Sequence, residues 1–213
     1  MKKITIALIV LILLFLWLFF WKQYFSQPII SQNITPDPLT TYTDTGYGFS
    51  IQYPKDLLTG MEFNTFYHLP NAWMSESAPG SQWTPLFRIV WVYIENTGSY
   101  PRYFDAEIRI GASSDANDVA NCYKNPYDNR PPTSTTINGI PFTVFIIQDA
   151  AAMQYLEWLS YRTVHNNTCF VMEHLKTGSN YRDDHSPLDI SDTVLDAYFT
   201  GMDSIVQTFK FIN

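Results

Sequence analysis

The stretch YRTVHNNTCFVMEH, Tyr161 to His174, sets two runs suited to β-strands on either side of Asn166-Asn167. Asparagine tolerates positive φ, so this pair predicts a two-residue hairpin turn. The turn fixes a register, with Val164 opposite Cys169, Arg162 opposite Val171 and Tyr161 opposite Met172. Side chains alternate across a strand, so the register also sorts them onto two faces. Leu159, Tyr161, Thr163, His165, Thr168, Phe170, Met172 and His174 share one, and Trp158, Arg162, Val164, Cys169, Val171 and Glu173 share the other.

That sorting bears directly on chemistry. A thiol nucleophile needs a base within hydrogen-bond reach, and both histidines lie across the sheet from Cys169, with His165 at the turn in water. The only other cysteine, Cys122, falls in a short helix expected in SDANDVANCY, with Ser114 or Asp115 as its cap. In an oxidising compartment, one cysteine on a helix and one on a sheet are most economically a disulfide; two buried thiols are the alternative. Closing a loop of that length stabilises a fold by about 4 kcal/mol in the chain-entropy model. Arg162 and Glu173 are near-diagonal neighbours on one face, placed either for a cross-strand ion pair or to orient a substrate.

Further strands lie on both sides of the hairpin. Phe49, Ile51 and Tyr53 alternate with polar residues and stop at Pro54. PLFRIVWVYIEN, Pro85 to Asn96, is apolar on both faces and reads as a central strand. In FDAEIRIGAS, Phe104, Ala106, Ile108 and Ile110 face one way and Asp105, Glu107 and Arg109 the other. Asn138-Gly139 marks another turn, followed by a strand through Phe145. Near the end, Val194, Tyr198, Met202, Ile205 and Phe209 recur at helical spacing, predicting an amphipathic helix that runs into a short apolar strand. Gly201 on that stripe would let the helix approach the sheet closely.

Aromatic residues are abundant in segments that are not core strands. Trp73 and Trp83 flank the Pro79-Gly80 turn, where they either fold back over the core or present rings to a ligand or protein partner. DAAAMQYLEW, Asp149 to Trp158, is either a second rim carrying Met153, Tyr155 and Trp158 or an ordinary helical connection. The densest cluster of metal-ligand types is Glu173, His174, Asp183, Asp184 and His185, with Asp189 and Asp192 nearby. Its spacing matches neither a zinc nor an EF-hand pattern, so it reads as an acidic solvated loop leading into a helix capped near Asp189. No nucleophile elbow and no glycine-rich nucleotide loop occurs. No cofactor is expected, and no catalytic residue is assigned; an envelope hydrolase would have to use His165 or His174.

The N-terminus places the domain. Lys2 and Lys3 precede an unbroken apolar run from Ile4 to Trp21, which as a helix would span roughly 27 Å, close to the thickness of a bilayer core. Trp17, Phe19, Phe20, Trp21, Tyr24 and Phe25 stand where a cleavage site would need small residues. Residues 1–25 therefore read as an uncleaved signal anchor with a cytoplasmic N-terminus, and residues 26–41, with three prolines, as an extended linker. The domain, residues 42–213, would lie outside the cytoplasmic membrane. Of 13 lysines and arginines, Lys2, Lys3 and Lys22 belong to the anchor, leaving ten against 20 acidic residues. That balance excludes nucleic acid as a partner and keeps the domain off an anionic membrane surface.

Antiparallel hairpins with helices at a few points predict an α+β layer structure. The opening Tyr42 to Pro54, with Gly48 before Phe49, and the ending Ser204 to Phe211 resemble the two ends of PsbP-like domains. The resemblance implies an antiparallel sheet flanked by helices in α-β-α layers and a non-enzymatic accessory role. It carries no metal or cofactor ligand onto this chain. The combined expectation is an anchored extracytoplasmic binding module with an envelope protein or a glycan as partner.

Overall fold

The Asn166-Asn167 hairpin forms in the expected register, with φ of 48° and 56° at the two asparagines and Val164 opposite Cys169. It is the centre of a much larger ladder. A computed structural model of the chain describes residues 38–61, 83–95, 102–124, 131–151, 154–179 and 191–212. The strands are β1 (Leu39–Asp44), β2 (Phe49–Pro54), β3 (Leu58–Gly60), β4 (Thr84–Glu95), β5 (Arg102–Ser113), β6 (Thr133–Ile137), β7 (Ile140–Ala151), β8 (Gln154–His165), β9 (Thr168–Ser179) and β10 (Lys210–Phe211). The helices among the described residues are α1 (Ala116–Asn121) and α2 (Asp192–Val206).

β1, β2 and β10 form a three-stranded sheet, and the other strands form a seven-stranded sheet in the order β3-β4-β5-β9-β8-β7-β6. Every pairing is antiparallel. The segments Tyr42–Pro54 and Ser204–Phe211 meet here, because β2 pairs with β10 through Ser50↔Lys210 and Phe49↔Phe211.

The main core lies on one face of the large sheet. Phe87 and Ile89 of β4, Ile108 and Ile110 of β5, Phe170 and Met172 of β9 and Phe142 of β7 pack there against Phe49 and Ile51 of β2 and Met202, Ile205 and Val206 of α2. Ring contacts join the layers: Tyr42 stacks on Phe87 at 3.8 Å, and Phe49 meets Phe170 edge-on at 6.4 Å. Asn138, in the β6–β7 turn, donates to the carbonyls of Gln207 and Phe209 at 3.0 and 2.8 Å, tying that turn to the chain leaving α2.

The α+β expectation is overturned: the described domain is predominantly β, and the helix-flanked α-β-α layering is not formed. Two structural observations account for the difference. Of Asp149–Trp158, read as a rim or a helical connection, residues 149–151 and 154–158 instead continue the β7–β8 ladder, with Gln148 opposite Glu157 and Ala151 opposite Gln154. The core face of the large sheet is also shared between the small sheet and α2, while α1 is only six residues long. Alternation and β-branched content persist through twelve-residue strands, and ladder hydrogen bonds hold wherever both faces can be buried.

Smaller differences follow the same logic. The buried stripe of α2 is Met202, Ile205 and Val206, with Val194 39% exposed, and Phe209 is buried beyond the helix end. Gly201 faces away from the sheet, and a Cβ built there meets nothing within 4 Å. The α2 cap, expected near Asp189, is Ser191, and Asp115 caps α1 as one of its two expected residues. Residues 1–37, with the apolar run and most of the linker, lie outside the described residues. Among those described, no helix is long and apolar enough to cross a membrane.

Candidate functional site

The second face of the seven-stranded sheet carries charge across its middle. β5 presents Phe104, Ala106, Ile108 and Ile110 to the core, so its alternation turns Asp105, Glu107 and Arg109 to the opposite side. The register aligns them with neighbours on other strands. Arg88 of β4 stands opposite Arg109, Arg109 opposite Glu173 of β9, Glu173 opposite Ser160 of β8, and Ser160 opposite Phe145 of β7. Glu107, Asp105 and Arg162 flank this row.

These groups are inside the protein. Glu107, Arg109, Arg162 and Glu173 are each 4% exposed or less, so charge here needs partners to survive desolvation. Glu107 accepts from Arg88 Nη2 through one oxygen and from Arg109 Nε at 2.6 Å through the other. Arg162 donates from Nε to Ser160 Oγ at 3.1 Å and from Nη1 to the carbonyl of Lys124 at 2.8 Å, and its guanidinium lies 4.6 Å from the centre of the Phe145 ring. Ser160 in turn hydrogen-bonds the Glu173 carboxyl. Among the described residues, Oε2 of Glu173 and Oδ1 of Asp105 have no hydrogen-bond partner.

The electrostatics follow from that geometry. Burial pushes the Glu173 carboxyl up to about 7 against the pull of Arg109, Arg162 and the Ser160 hydrogen bond. Burial, reinforced by the neighbouring Glu107 charge, raises Asp105 to about 7 despite Arg88 and Arg109. The arrangement can hold and release protons near neutrality. Arg162 and Glu173 are the diagonal neighbours expected from the hairpin, with Ser160 interposed. The other members, Arg88, Asp105, Glu107, Arg109 and Ser160, were not anticipated as one cluster; the available signal was the period-two spacing of Asp105, Glu107 and Arg109.

Cys122 and Cys169 form a disulfide, with Cα atoms 5.7 Å apart. The bridge joins the C-terminal end of α1 to the start of β9. Val171 completes that cluster, and Val119, Val164 and Trp83 pack against it. Trp83 thus lines a core. Trp158 is buried with Ile147, Leu156 and Leu175 on the second sheet face, while Tyr155, on the opposite face, lies over Gly178. The structure therefore does not bring Trp83, Tyr155 and Trp158 onto one surface. Trp73 and Met153 lie outside the described residues.

Both hairpin histidines have packing roles. His165, expected in water, stacks on Phe211 with ring centres 3.8 Å apart. His174 is fully buried beneath α2 and donates from Nδ1 to Asp203 at 2.6 Å; its Nε2 has no hydrogen-bond partner among the described residues. Glu173 and His174 point to opposite faces, so they do not converge on one ion. Among the described residues no group of three metal-ligand types is close enough to hold a metal, and Asp183, Asp184, His185 and Asp189 lie outside them.

No protein-family model matches the chain, and no curated protein does. A solved structure to which it is similar is that of a protein from Bacteroides thetaiotaomicron VPI-5482, at 14% identity and a TM-score of 0.36. The match covers 81% of this chain and 48% of that one, so the chain spans about half the length of the structure it matches. A likeness of that degree carries no argument about function.

Proposed function

We propose that this chain is a membrane-anchored, extracytoplasmic, non-enzymatic binding module that serves a protein partner in the cell envelope. The observation that carries the reading is the buried Cys122–Cys169 bridge in a chain whose first 25 residues have the length and apolarity of an anchor. Structural disulfides persist in oxidising compartments, and the anchor delivers the domain to one. The acidic balance beyond the anchor fits a domain that stays in solution above the bilayer. Both cysteines are committed to the bridge, and His165 and His174 are committed to Phe211 and Asp203, which disfavours a hydrolase built on them. Trp83 packs against the bridge, so a glycan surface would have to be built without it.

The test is crosslinking in intact cells, followed by detergent extraction and identification of proteins attached to the full-length chain. A specific envelope protein, lost when the anchor is exchanged for a cytosolic leader, is the expected result. Fractionation that finds the chain in the cytosol with both thiols reduced would overturn the reading. Retention on a glycan matrix with no protein attached would replace the protein partner with a sugar.

A further inference from the structure

The charged side chains on the second sheet face have unequal complements of hydrogen bonds. Glu107 has both oxygens engaged by guanidinium donors, one from Arg88 and one from Arg109. Glu173 and Asp105 are also buried, yet Oε2 of the first and Oδ1 of the second meet no donor among the described residues. An ionised carboxylate with a bare oxygen in the interior is heavily penalised, and the neutral acid escapes most of that cost. The geometry points to Glu173 and Asp105 as internal proton-binding acids, which hold the domain tighter in acidic surroundings and loosen it as the medium rises toward neutrality.

The described groups facing these acids come from every neighbouring element. β4 contributes Arg88, β5 contributes Glu107 and Arg109, and β8 contributes Ser160 and Arg162. β7 offers the uncharged Phe145, and the segment after α1 offers the carbonyls of Cys122 and Lys124 to Arg162. Asp118 of α1 is hydrogen-bonded to Ser113 at the end of β5. With both acids neutral, three guanidinium groups face the single carboxylate of Glu107. Their attraction favours ionising Glu173 and Asp105, but burial outweighs it and both acids are raised to about 7.

The sign of the linkage follows. An acid with a raised folded-state pKa keeps its proton in the folded protein over a range where the unfolded chain has lost it. Stability then falls as pH rises from the ordinary carboxyl range to about 7, and levels off above that. Each acid contributes up to about a tenfold fall in the folding equilibrium constant per pH unit across the window. This property belongs to the sheet itself and holds wherever the chain resides.

The experiment is denaturant unfolding of the full-length protein in detergent micelles from about pH 5 to about pH 8. The wild type is compared with the Glu173→Gln, Asp105→Asn double variant, whose amides cannot ionise. The wild type should lose stability relative to the variant as pH rises, by a factor approaching one hundred per pH unit in the steepest part. A wild-type-to-variant difference that stays flat across the range would overturn the proposal. Infrared spectroscopy of the wild type decides the matter if the double variant fails to fold. A protonated-carboxyl band persisting at about pH 6 supports the proposal, and its absence overturns it.

Discussion

Removing the Cys122–Cys169 bridge should be the most informative single perturbation of this domain. The two residues are 47 positions apart, and the bridge fastens α1 to β9 in the middle of the large sheet. In the chain-entropy model, opening a loop of that size releases about 14 cal/mol/K of unfolded-chain entropy, or about 4 kcal/mol at room temperature. For a domain of this size, that corresponds to a drop in Tm of about 8 to 16 °C. The loss should exceed what the local contacts alone supply, because the six-residue α1 is too short to be stable on its own. Arg162, which holds the carbonyls of Cys122 and Lys124, and Tyr123, whose hydroxyl accepts from the Val164 N–H, would remain as tethers of the segment. The assay is denaturant unfolding of the full-length protein in micelles, oxidised and reduced, alongside Cys122→Ala, Cys169→Ala. Agreement between the reduced wild type and the double variant would assign the effect to the bond rather than to the side chains. A shift below about 1 kcal/mol in both would refute the reasoning, because it would mean that the unfolded chain is already confined without the bridge.

Two further predictions concern ion pairs. Glu107→Gln leaves the partly buried guanidinium of Arg88 and the buried one of Arg109 without their shared carboxylate, and should cost about 3 to 5 kcal/mol by urea denaturation; a loss under 1 kcal/mol would show that the row is not held by that pair. Asp203 is half-exposed and, although burial raises its pKa, the hydrogen bond and charge of His174, with help from Lys176, bring it below the ordinary carboxylate value. Its contribution to stability is therefore present above the unfolded-state pKa and is lost as pH falls through the lower folded-state value. Asp203→Asn should weaken the acid limb of the stability profile, and an unchanged acid limb would dismiss the His174 clasp as a source of it.

Much of this architecture was legible in local sequence because strand pairing across short turns is a local matter. Asn166-Asn167 and Asn138-Gly139 required positive φ, each turn set a register, and a side-chain period of two then sorted every residue of the hairpins onto a face. The pairing of Cys122 with Cys169 followed from there being two cysteines and one place for each. The same local patterns could not say how far a ladder extends, and so Asp149–Trp158 remained ambiguous until its partners were known.

The chain by itself determined which residues share a face, where the turns fall and which end reads as an anchor. Only the tertiary structure decided what covers each face. Alternation in Phe104–Ser113 separates apolar from charged side chains, but it does not distinguish a charged face in water from one sealed inside. Burial depends on strands and helices remote in sequence, and it is burial that turns Glu173 and Asp105 into acids titrating near 7. His174 likewise carries no local mark of its role: its partner Asp203 comes from α2, twenty-nine residues further along, and meets it only when the helix settles onto the sheet.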